Sequence, residues 1–97
     1  MGMDLVPRNK SQEELHYNWH GWIFLVKQLK TWGVDTSEFA FRNYHEYISA
    51  KTCRAVAAAI EQHKDEYNGA YAGDRYGPKP AADHVKWWRE SSGVWQH

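Results

Sequence analysis

Ninety-seven residues make one domain: a chain this short buries only roughly 60–65% of its unfolded surface and holds no second core, so 1–97 reads as a single unit. Twelve basic and twelve acidic side chains cancel to a net charge of zero, which leaves no global field to gather a nucleic-acid polymer or an anionic membrane. A single cysteine, Cys53, excludes an internal disulfide and a multi-cysteine zinc site. The start lacks the apolar stretch of a secretory signal, and nothing reaches the roughly 18 apolar residues of a membrane span. The expectation is a cytoplasmic protein with no membrane partner.

In chain order, Met3–Val6 is a short extended candidate closed by Pro7 and the polar run 8–12. Ser11 and Glu14 have capping-box spacing, but Tyr17, Asn18 and Gly21 are poor helix formers. A helix over 18–32 with Asn18 as its cap fits better. Trp22, Leu25, Val26, Leu29 and Trp32 follow one buried stripe, and Gly33 supplies a left-handed stop. Residues 34–47 show no clean period; Phe39, Phe41, Tyr44 and Tyr47 alternate loosely, as a short strand or an aromatic-pinned loop would. Ser49 caps a second helix running to Tyr67, with Ile48 and Cys53 placed as a hydrophobic staple and Asn68-Gly69 as the end. Residues 68–80 form a Gly- and Pro-rich loop of a length associated with function or disorder. A third helix is expected over 82–91, and Gly93–His97 reads as a terminal strand pairing with Met3–Val6. The fold class is therefore α+β, with about three helices and a small sheet made by the N- and C-terminal strands.

Three segments together carry a resemblance: Met1-Gly2-Met3-Asp4 with Asn9, the block Asn18-Trp19-His20-Gly21-Trp22 entering a helix, and Trp87-Trp88-Arg89-Glu90-Ser91-Ser92-Gly93. They resemble a family of small uncharacterised phage and bacterial proteins. That family has a Met-Gly-x-Asp start, an Asn-Trp-rich block, an Asn-x-Gly turn before an Ala-rich helix, and a Ser-Gly-Gly ending. Here the turn residue is Asn43, followed by Tyr44-His45 instead of reaching a glycine, and Ser92-Gly93-Val94 keeps one of the paired glycines. The family supplies no activity. The resemblance implies a phage-type source, a setting in which small proteins often inhibit host defence.

Candidate chemistry is sparse. His16 and His20 stand four apart, but Tyr17 sits where a zinc hydrolase of the His-Glu-x-x-His kind needs its glutamate, and a cap at Asn18 puts His16 outside the helix. Cys53 on an Ala-rich face reads as a small buried hydrophobe. No nucleophile elbow or phosphate-binding glycine loop is present, so no catalytic residue, metal or cofactor is assigned.

Six Trp, six Tyr and three Phe are a heavy aromatic load. Most rings of this kind build core, yet some can form a wall for a planar ligand. Asn18, Trp19, Trp22 and Asn43 are the candidate wall, with Trp22 turned toward the core. Arg42 and Arg89 are candidates for phosphate contact, and the loop residues Tyr71 and Tyr76 for closure. The leading expectation is a non-catalytic cytoplasmic sponge that sequesters a nucleotide-type defence signal and acts as a homodimer. The alternatives are a protein-binding inhibitor of a host defence complex, favoured by Trp87-Trp88, whose side chains diverge by about 100°, and a metal-dependent hydrolase using the histidines.

Overall fold

The computed structural model describes residues 2–39, 46–67 and 81–97. Their order is β1 (Gly2–Pro7), β2 (Leu15–Asn18), α1 (Trp19–Thr31), β3 (Tyr47–Ser49), α2 (Ala50–Gln62), α3 (Ala81–Glu90) and β4 (Gly93–Gln96). The four strands form one antiparallel sheet in the order β2-β1-β4-β3, so the architecture is α+β. The terminal strands do pair, with Leu5 opposite Gln96, Val6 opposite Trp95 and Pro7 opposite Val94. No helix among the described residues is long and apolar enough to cross a membrane.

Strand β2 is absent from the sequence expectation, because it is only four residues long and runs straight into a helix. Its alternation is nonetheless that of a half-buried strand: Leu15 and Tyr17 are buried, while His16 and Asn18 are not. Asn18 then serves both elements. It closes the strand opposite Gly2, and its side chain accepts a 2.7 Å bond from the Gly21 amide as the α1 cap. Trp22, Leu25, Val26 and Leu29 are the buried stripe of α1, as their spacing predicts. The helix ends in a Schellman arrangement: Gly33 has φ of 84°, its amide bonds Lys30 O, and the Val34 amide reaches back to Leu29 O.

Ser49 caps α2 by accepting from the Thr52 amide at 3.3 Å, and Ile48 and Cys53 are both fully buried at the staple positions. Glu38 braces this start, accepting a 3.0 Å bond from Ser49 Oγ and a short one from Thr52 Oγ1. Helix α2 stops at Gln62, short of the Tyr67 end that its spacing suggests. Tertiary contacts account for the early exit. His63 stacks on Trp32 with ring centres 4.5 Å apart, and Gln28 Nε2 donates to Glu66 O at 2.7 Å, so the chain is drawn toward the end of α1. Helix α3 lies along α2, and Ala57 and Ala59 of α2 are buried.

The divergence of Trp87 and Trp88 resolves within the chain. Trp88 is fully buried, and Trp87 is half-buried, its Nε1 donating to Glu13 O at 2.7 Å and its carbonyl accepting from Gln12 Nε2 at 2.8 Å. The second ring thus pins the β1–β2 connection.

A buried polar chain crosses the core: Trp88 Nε1 donates to Tyr17 Oη at 3.3 Å, Tyr17 Oη bonds Tyr67 Oη at 2.7 Å, and Tyr67 Oη bonds His84 Nδ1. It ties β2, the segment after α2, and α3 together. Burial pushes the Tyr17 hydroxyl up to about 12, against the lowering effect of its bonds to Tyr67 and Trp88. Burial likewise drives Tyr67 far above its ordinary range. Cys53 is raised to about 12, first by burial and then by the charge of Glu38.

These shifts predict alkaline lability. In the unfolded chain Cys53 and the tyrosines lose protons near their ordinary values of 9.0 and 10.0, while the folded chain holds them, so stability is intact below pH 9.0 and falls as pH rises toward about 12. The unfolding free energy from urea titration should drop steadily from pH 8.5 to 11, by about 1.4 kcal/mol per pH unit for each group titrating in that window, and the urea midpoint with it. Cys53 should also resist an aromatic disulfide reagent until the protein unfolds. An unchanged midpoint, or fast labelling of the native protein, would contradict this.

Candidate functional site

Strand alternation sorts the sheet into two faces. Met3, Leu5, Leu15, Tyr17, Ile48 and Val94 point inward and belong to the core under the helices. The buried Gln96 shares that side, its Nε2 donating to Glu38 O at 2.7 Å. The other face carries His16 and Asp4 in one row, Val6, Trp95 and Tyr47 in the next, and Arg8 beyond them. None of the described helices covers it: Trp95 is 44% exposed, Asp4 and Arg8 are exposed, and Val6 and Tyr47 are half-buried.

The aromatic pair is built rigidly. Tyr47 and Trp95 are directly opposite across β3 and β4, with ring centres 4.8 Å apart and tilted by 56°. Tyr47 Oη donates to Ser92 O at 3.2 Å, and its ring lies over Gly93, where a Cβ would come within 1.8 Å of the hydroxyl. Gly93 has φ of 130°, so glycine both permits the backbone and leaves room for the ring. The Arg8 amide bonds Gly93 O at 2.9 Å, which brings Arg8 to the edge of the pair. Arg8, Tyr47 and Trp95 line a shallow recess of about 320 Å³. In the neighbouring row His16 Nδ1 and Asp4 Oδ1 are 2.5 Å apart. An aromatic surface with a flanking guanidinium can take a planar group by stacking and an anionic group by charge-assisted hydrogen bonds.

The residues singled out from sequence fare differently. Asn18 is committed to its cap, and Trp19 packs half-buried against the core. Trp22 is fully buried against Tyr17 and Phe39; a ligand cannot reach it, so its place in the candidate wall is corrected to core. Arg89, exposed on α3, pairs with Glu61 of α2 beside Arg54 and Gln62. Arg42, Asn43, Tyr71 and Tyr76 lie outside the described residues. His16 falls in β2 and His20 in α1, so the helical two-histidine geometry is not formed. Among the described residues no group of three or more His, Cys, Asp or Glu side chains is placed to hold a metal ion. Sequence reasoning missed Arg8, Tyr47 and Trp95; the faint signal was Trp95 standing between Val94 and Gln96 in a strand, where one of the neighbouring pair must face outward.

The geometry defines a small α+β domain with an antiparallel sheet face that the described helices leave uncovered and that bears an aromatic pair. Set against known protein families, curated proteins and solved structures, the chain has no match in any of the three.

Proposed function

We propose that this is a non-catalytic binding protein that captures a small nucleotide-type ligand on its open sheet face, in a phage-type anti-defence setting. The observation that carries the reading is the half-exposed Trp95, braced by Tyr47 and flanked by Arg8. The base stacks on the Trp95 ring, worth about 1–3 kcal/mol. A phosphate meets Arg8 through charge-assisted bonds of about 1.5–3 kcal/mol each. No nucleophile or metal takes part, so the ligand is held and released unchanged.

Calorimetry against a panel of cyclic nucleotides and ADP-ribose derivatives tests this. One class should bind, Trp95→Ala should weaken it roughly 5- to 150-fold through the lost stacking, and the ligand recovered after denaturation should be intact. Silence across the panel removes the reading, and a cleaved ligand replaces a sponge with an enzyme.

A second reading, a protein-binding inhibitor, is favoured by the outer side of α1. Phe24 is 43% exposed there, in a depression of about 470 Å³ that it shares with His20, Ile23 and Lys27.

A further inference from the structure

The open sheet face is complementary to itself. Along β1 the outward positions are Asp4 and Val6, about 6.6 Å apart, and the exposed Arg8 follows one residue past the strand, its amide still bonded to Gly93 O of β4: an anion, an apolar centre and a cation in sequence. A two-fold axis lying in the plane of the face, perpendicular to β1 at Val6, turns a second copy so that its Arg8 meets Asp4 and its Asp4 meets Arg8. Val6 and Trp95 then lie against their own counterparts between the two ion pairs. Asp4 has an acceptor to give: His16 engages Oδ1, and the side chain is still 54% exposed. Among the described residues the remaining titratable groups on the face are His16 and His97, in the Asp4 row, and the Tyr47 phenol beside Trp95, so no carboxylate lies beside Asp4 and no second guanidinium or ammonium beside Arg8. The exposed side of α1 is different. The helix carries His20, Lys27 and Lys30 and no carboxylate of its own, so it offers no reciprocal ion pair to a second copy of itself.

We infer that the protein self-associates as a two-fold dimer through the outer face of its sheet, with reciprocal Asp4–Arg8 pairs around a Val6–Trp95 centre. Four strands about 4.8 Å apart and about four residues long give a patch of roughly 19 by 14 Å, small for a stable interface. The dimer is accordingly weak, with a dissociation constant on the order of 10–100 µM. Dimerisation withdraws Trp95, so, on the ligand-binding reading proposed above, a ligand on this face and a second copy exclude one another, and each weakens the other's apparent affinity by mass action. The dimer itself stands on the charge pattern alone.

Sedimentation velocity without nucleotide, over a hundredfold range of concentration, tests it. The wild-type chain should move from the 11.4 kDa monomer toward twice that mass. Arg8→Asp alone and Asp4→Arg alone should each weaken the dimer by about tenfold or more, and the double swap should restore it to within about threefold of wild type, since the pairs re-form with signs exchanged. Circular dichroism checks that each variant is folded. A monomer at every concentration overturns the inference, and so does a dimer indifferent to the single substitutions or not rescued by the double one. The two ideas fail separately: a rescued dimer with a silent nucleotide panel removes only the ligand, and a strict monomer that binds nucleotide removes only the dimer.

Discussion

Trp88→Ala should cost about 3–5 kcal/mol of stability, as removal of a buried tryptophan generally does. Small domains hold only about 5–15 kcal/mol in total, so this one change should leave the chain unfolded or nearly so at physiological temperature. The reason is specific to its position. Trp88 is fully buried, packs edge-on against Trp87 and close to Phe39, and its indole N–H is a donor to the buried Tyr17 hydroxyl. Truncation opens a cavity and also deprives one end of the Tyr17–Tyr67–His84 chain of a partner. Its neighbour gives the control. Trp87→Ala loses one hydrogen bond to Glu13 and partial burial, and should cost about 1–2 kcal/mol. Urea unfolding of the two variants should separate them widely, and equal losses would contradict this division of labour.

The second large effect is expected at Gly93. Gly93→Ala places a Cβ on a backbone with φ of 130° and drives it into the Tyr47 ring. Tyr47 can swing its hydroxyl away, but the backbone strain stays, so about 2–4 kcal/mol should be lost. Moving Tyr47 also breaks its bond to Ser92 and its contact with Trp95, so ligand binding and dimerisation should fall together with stability. Gly33→Ala is the matched comparison. Gly33 also has positive φ, at 84°, but a Cβ there meets nothing within 4 Å. Only the conformational cost applies, about 1 kcal/mol, with the sheet face untouched. Thermal melts together with the binding assays distinguish the two glycines.

What the sequence made legible follows from how local each signal is. Helix α1 could be read because its cap, its apolar stripe and its Gly33 stop lie within one continuous stretch. The pairing of the chain ends was readable because Gly93–His97 is too apolar to stand alone. Strand β2 escaped because four alternating residues are easily lost beside the Ser11–Glu14 spacing, which mimics a helix start. The end of α2 was misplaced because Trp32 and Gln28, distant in sequence, draw His63 and Glu66 out of the helix. The candidate face was hidden for a related reason. Whether Trp95 or Gln96 faces solvent is decided by Glu38, whose carbonyl satisfies the Gln96 amide inside the core. Tyr47 becomes its partner only through a three-residue strand that no periodicity announces.

The most direct test of the central claim, that the outer sheet face is the binding surface, is a nitrogen-15 chemical-shift titration with the nucleotide that calorimetry selects, run dilute enough to favour the monomer. The six tryptophans provide six indole N–H reporters. The Trp95 indole and the amides of Val6, Arg8 and Tyr47 should shift in a saturable manner, while the indoles of buried Trp22 and Trp88 stay in place. Shifts centred instead on His20, Phe24 and Lys27 of α1, or an unperturbed Trp95 at saturation, would contradict it.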